Sequence, residues 1–139
     1  MEVTANALQV VNVDQNVLFS ETAVRGNCSI MHREGSGIVT LRGLTNQFRA
    51  RFRITFGANI AVPTGETVGP ISLAIAVNGE AVPTSSMIET PAAVEEFSNV
   101  SSVLFLDVPT GCCTQVSVEN TSTIPVNVQN ANLIVERVA

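Results

Sequence analysis

From Arg49 to Phe56 every residue changes character: Arg49, Arg51 and Arg53 alternate with Ala50, Phe52, Ile54 and Phe56. Side chains that switch face at each step describe an extended strand, because a helix returns to the same face only every third or fourth residue. The alternation predicts a half-buried strand over residues 48–61, with a guanidinium row on one side and an apolar row on the other. Period two continues elsewhere. It predicts strands over 16–24, 28–31, 37–43, 71–77, 80–82, 100–108, 115–120 and 126–138, with residues 1–13 as an N-terminal arm or a first strand. Val, Ile and Thr supply 43 of the 139 residues, and β-branched side chains fit a pleated, half-buried surface.

The breaks between these segments have turn chemistry. Asn78-Gly79 is a strong two-residue hairpin signal. Val62-Pro63-Thr64-Gly65, Val82-Pro83-Thr84-Ser85 and Val108-Pro109-Thr110-Gly111 each end a strand on proline. Residues 91–97 offer one or two helical turns behind Pro91, or an extended loop segment. On 71–77 the small residues Ser72, Ala74 and Ala76 face away from Ile71, Leu73 and Ile75, which suggests close approach to another layer or another subunit. On 100–108 both faces are apolar at the centre, as in a strand covered on both sides. The chain reads as one all-β domain over 1–139, a sandwich of about eight to ten strands.

Composition narrows the function. Hydrophobic residues make up 45% and charged residues 14%, against about 25% charged in an average soluble domain. That excludes disorder, a coiled coil and a helical bundle. A net charge of −5, with seven arginines and no lysine, argues against nucleic acid as a partner, since that affinity rests on clustered cations. The longest apolar run, 71–77, is far short of the roughly 20 residues that cross a bilayer, so no membrane insertion is expected. Residues 1–6 show no secretory pattern, and the expectation is synthesis and folding in a cytoplasm.

Few groups are arranged for chemistry. His32, the single histidine, has Cys28 as its nearest thiol, and four residues along a strand separate them by roughly 13 Å. It reads as a turn or surface residue. Cys28, Cys112 and Cys113 lack metal-ligand spacing and read as unpaired buried thiols. Glu95 and Glu96 diverge as neighbours and read as a solvated acidic loop, with Phe97 beside them as a loop contact. No cofactor, metal or catalytic residue is expected, and the chain is not expected to be an enzyme. The asparagine sequons at 27, 99 and 120 match by chance in so Asn- and Ser-rich a chain and carry no weight. Arg49, Arg51 and Arg53 would repel one another unless negative groups lie opposite. Either cross-strand acids neutralise them, or they form an interface together with Phe48, Ala74 and Ala76.

The order of the pieces resembles a known family. Asn16-Val17-Leu18-Phe19 opens it, and Ile38-Val39-Thr40-Leu41 ends a Gly-rich strand pair. Residues 50–60 form the long central strand. Leu106 to Gly111, Val116 to Asn120 and Ala131 to Val138 close it. In this it resembles the trimeric jelly rolls of the tumour necrosis factor and complement globular-head type, particularly their short bacterial versions. The resemblance implies a jelly-roll sandwich and a homotrimer with its inner sheets around an axis. That family usually carries aromatic residues near the axis, whereas this chain has no Tyr and no Trp.

Two functions are then expected in competition. One is a structural or decorating trimer on a particle, most naturally a phage virion, made in the host cytoplasm and attached to a capsid or other coat protein. The other is a module binding glycan or a host surface, carried on a spore or bacterial cell. A trimer would also explain the excess of apolar residues, because obligate interfaces resemble a core cut in half.

Overall fold

The computed structural model describes residues 1–43, 49–111 and 113–139. Twelve strands run through them: β1 (Glu2–Ala5), β2 (Gln9–Val11), β3 (Glu21–Val24), β4 (Ile30–His32), β5 (Val39–Arg42), β6 (Arg49–Ala61), β7 (Ile71–Val77), β8 (Glu80–Ala81), β9 (Met87–Glu89), β10 (Ser98–Pro109), β11 (Cys113–Asn120) and β12 (Val126–Arg137). They form two sheets, and the strands pair antiparallel throughout. The first has the order β10-β6-β12-β1-β3, with β2 also on β12; the second has β4-β5-β11-β7-β8, with β9 also on β7. The sheets pack face to face as a jelly-roll sandwich.

The inward residues of the alternating strands make the core. Phe52, Ile54, Phe56 and Ile60 of β6 meet Leu41, Ile71, Leu73 and Ile75 from the second sheet, all fully buried. Phe19 and Phe56 pack edge to face at 6.4 Å between ring centroids, the arrangement that ring quadrupoles favour. The Asn78-Gly79 hairpin closes β7 onto β8 with φ of 52° and 84°, the left-handed geometry a two-residue turn needs.

Several expectations change. Residues 1–13 supply two strands, and β1 is an interior strand between β12 and β3. Only Glu21–Val24 of the segment 16–24 is a strand. Val17 and Phe19 are nonetheless wholly buried, because alternation reports which side faces the core and not whether a ladder forms. β9 was not anticipated, since Met87–Glu89 is too short to show a period. Residues 91–97 form turns and bends; the one helical segment among the described residues is the 3-10 turn Pro83–Ser85. Cys28 and Cys113 are exposed thiols rather than buried ones. Cys28 lies in the turn before β4, and Cys113 starts β11 on its outward side. Cys112 lies outside the described residues.

Candidate interaction surface on the first sheet

The register of the first sheet assembles its outward face row by row. Val103 pairs with Thr55, Thr55 with Ile134, Ile134 with Glu2 and Glu2 with Val24. In the next row Phe105 pairs with Arg53 and Arg53 with Glu136, and in the one after Asp107 pairs with Arg51. Val103 is 57% exposed and Phe105 62% exposed. This overturns the reading of 100–108 as covered on both sides. β10 is the edge strand of its sheet, and within the chain only the Leu104, Leu106 and Val108 side reaches toward the core.

The arginine row borders this apolar patch and is matched by acids of the same chain. Arg51 donates from Nε to Asp107 Oδ1 at 2.8 Å and from Nη2 to Oδ2 at 3.2 Å, a two-pronged contact. Arg49 Nη1 reaches the same carboxylate at 3.0 Å. Arg53 Nε donates to Glu136 Oε1 at 2.7 Å. The hydrogen bonds from Arg51 hold Asp107 below its ordinary 3.8, with Arg49 adding to the effect and loss of hydration opposing it. Arg51 is raised in turn by the same contact. Cross-strand pairing therefore supplies the negative partners the row requires. Exposed pairs of this kind add little stability, because water screens them.

The other expected interface residues fall elsewhere. Ala74 and Ala76 lie on the outward face of the second sheet and expose no surface. In register they adjoin Glu119, Ser117 and Ala81, so the close approach that their size allows is made within the chain. Phe48 lies outside the described residues.

Glu95 and Glu96 are both exposed, as expected of an acidic loop, but Glu95 is also bound within the chain. Glu95 takes a left-handed backbone (φ 59°), and its Oε1 accepts from Thr64 N at 3.1 Å, Thr64 Oγ1 at 2.9 Å and Asn127 Nδ2 at 3.1 Å. It ties this loop to the turn after β6 and to β12. Glu96 and Phe97 remain exposed beside it.

His32 is half-buried, with both ring nitrogens engaged: Nδ1 with Thr22 Oγ1 at 3.2 Å and Nε2 with the Ser36 carbonyl at 2.9 Å. Its ring meets Phe19 edge-on at 6.4 Å. Thr22 belongs to β3 and His32 to β4, so the histidine joins the edge strands of the two sheets beside an open cleft of about 480 Å³. No signal in the sequence distinguished this pin from a surface histidine, because Thr22 and Ser36 come to it only through the fold.

The architecture is that of the tumour necrosis factor and complement C1q jelly rolls. No protein-family model matches the chain, and no curated protein matches it. Among solved structures it is similar to the globular domain of zebrafish complement 1qA protein, with 15% identity over 99% of this chain and 95% of that one and a TM-score of 0.70. Weaker similarity extends to the C-terminal domain of EclA, a sugar-binding protein (13% identity, 95% and 80% of the two chains, TM-score 0.42). The xylan-binding CBM22-1 domain of Paenibacillus barcinonensis Xyn10C is further off (11% identity, 99% and 87%, TM-score 0.36).

Proposed function

We propose that this protein is a non-catalytic structural module that assembles as a homotrimer through the open face of its first sheet. It decorates the surface of a particle, a phage virion in the first instance, with a capsid or other coat protein as its anchor. The observation that carries the reading is the exposure of Val103 and Phe105 on the edge strand β10, each more than half uncovered, with half-buried Ile134 of β12 across Thr55 in the same row, in a chain with only 14% charged residues. Fully burying an apolar side chain of this size contributes about 1.5–3 kcal/mol, and a threefold assembly does so three times over.

The Met1 ammonium donates to the Val135 carbonyl at 2.7 Å, and Arg51 N donates to the Ala139 carbonyl at 3.2 Å. Residues 1 and 139 thus lie at the arginine end of the first sheet, with further loops at the opposite end. Those loops include Glu96 and Phe97, the residues a glycan or host-surface contact would use if the module is carried on a spore or cell instead.

Sedimentation of the purified chain tests the assembly: a species of three times 14.7 kDa is expected, and a stable monomer at micromolar concentration overturns it. Mass spectrometry of purified virions tests the location. A saturable hit on a glycan panel, with no chain found in particles, would replace display by recognition.

A further inference from the structure

At the end of the first sheet away from the arginines, four asparagine side chains form a one-way line across the strands. Asn99 Nδ2 donates to Asn59 Oδ1 at 3.2 Å, and Asn59 Nδ2 donates to Asn130 Oδ1 at 3.1 Å. Asn130 Nδ2 then donates to Asn6 Oδ1 at 2.5 Å. The backbone fixes the direction. Asn130 Nδ2 also faces the Asn6 carbonyl oxygen at 3.4 Å, and a carbonyl only accepts. Asn130 must therefore turn its oxygen toward Asn59, which forces the orientation of Asn59 and then of Asn99. Asn130 occupies left-handed backbone (φ 56°) where β12 shifts register between Gln129 and Asn132. Asparagine tolerates that conformation better than most residues.

The two ends of the line are chemically unlike. At the β10 edge, Asn99 Oδ1 is an acceptor without a partner among the described residues, and beyond β1, Asn6 Nδ2 is a donor without one. Both residues are exposed. Resting on the trimer reading above, we infer that the line continues between copies: Asn99 Oδ1 of one protomer accepts from Asn6 Nδ2 of the next, so that three lines close head to tail into a ring.

Polarity is the argument. An edge-to-edge twofold contact at β10 would set Asn99 Oδ1 against its own copy, acceptor against acceptor. A heterologous contact that closes by rotation joins donor to acceptor at every junction. Val103 and Phe105, further along β10 on the same face, are non-directional contacts that tolerate sliding. Directional amides on that face fix one register, because any other leaves polar ends unpaired.

Asn6→Asp is the discriminating substitution. It keeps the oxygen that receives Asn130, so the line within the chain survives, and it replaces the outward donor with an acceptor. Sedimentation equilibrium of the full chain should show trimerisation weakened by roughly 100-fold or more, given three lost contacts of about 1 kcal/mol each. Thr84→Asp, which adds the same charge at an exposed position beside the second sheet, should not weaken it. Combining Asn6→Asp with Asn99→Arg supplies a donor facing the new carboxylate and should recover most of the loss. A trimer unaffected by Asn6→Asp, or one weakened without recovery by Asn99→Arg, overturns the ring and leaves the trimer standing. A wild-type monomer overturns both.

Discussion

On the outward face of the second sheet, Ala74, Ala76 and Ser117 lie side by side and expose at most 5% of their surface. On the outward face of the first, Val103 and Phe105 expose more than half of theirs. The two faces belong to one sandwich and cover one core. They differ in side-chain height and in position within the sheet. β7 is an inner strand, flanked by β11 on one side and by β8 and β9 on the other, and its methyl groups are closed over by neighbours. β10 stands at an edge with tall apolar groups beside Thr55 and Arg53, and none of the described residues covers them. Burial by short residues completes a monomer, whereas exposure of tall ones leaves a surface for another molecule.

The sharpest way to break this contrast is Phe105→Asp. It should leave the sandwich folded by circular dichroism and abolish the trimer in sedimentation, since central aromatic anchors each contribute about 2 kcal/mol or more and three are lost together. An unchanged trimer would remove the open face from the assembly. Ile75→Ala, on the core side of β7, should destabilise the fold by about 2–5 kcal/mol in denaturant titration at fixed protomer concentration. Ala76→Leu tests the closed face directly. Forcing a larger side chain into a covered site costs about 1–3 kcal/mol, and a cost near zero would show that face to be open after all.

The smallest effects separate the faces by pH. Burial and the nearby Asp14 carboxylate push Glu119 of the second sheet above its ordinary 4.5. A raised carboxyl weakens the fold when ionised, fully so above its folded value; the penalty fades as pH falls through that value and is gone below the unfolded one. Glu119→Gln should therefore stabilise modestly at pH 7 and lose that gain below about pH 4. Asp107 of the first sheet is lowered, so its favourable contribution is present above its ordinary value and disappears as pH falls through the lowered one. Asp107→Asn should lose a little stability at pH 7 and none in strong acid. Thermal unfolding across pH reads both slopes.

Much of the molecule is legible in the residue order. The unbroken alternation of Arg49 to Phe56 places β6 and its two faces, and Asn78-Gly79 places a hairpin with the geometry the structure has. The candidate surface is only half legible. Phe105 and Val103 stand out as apolar, but Ala74 and Ala76 look equally suited to a subunit contact. Height, neighbours and edge position decide between them, and none of these is a property of a short segment. Glu95, His32 and the asparagine line were invisible for a related reason. Their partners are Thr64 and Asn127, Thr22 and Ser36, and Asn6 with Asn130, residues that only the folded chain gathers.

By itself the sequence determined an all-β chain, the period of its strands, the chemistry of its turns and a surplus of apolar side chains. Local sterics and the two-residue repeat of an extended backbone are sufficient for those. The tertiary structure decided where the surplus goes. Pairing order makes β10 an edge and β7 an interior strand, and pairing between residues up to 134 apart in the chain depends on how every strand shares its hydrogen bonds and its core. On the first sheet it leaves Val103 and Phe105 uncovered on an edge strand, beside the paired charges of Arg51, Arg53, Asp107 and Glu136.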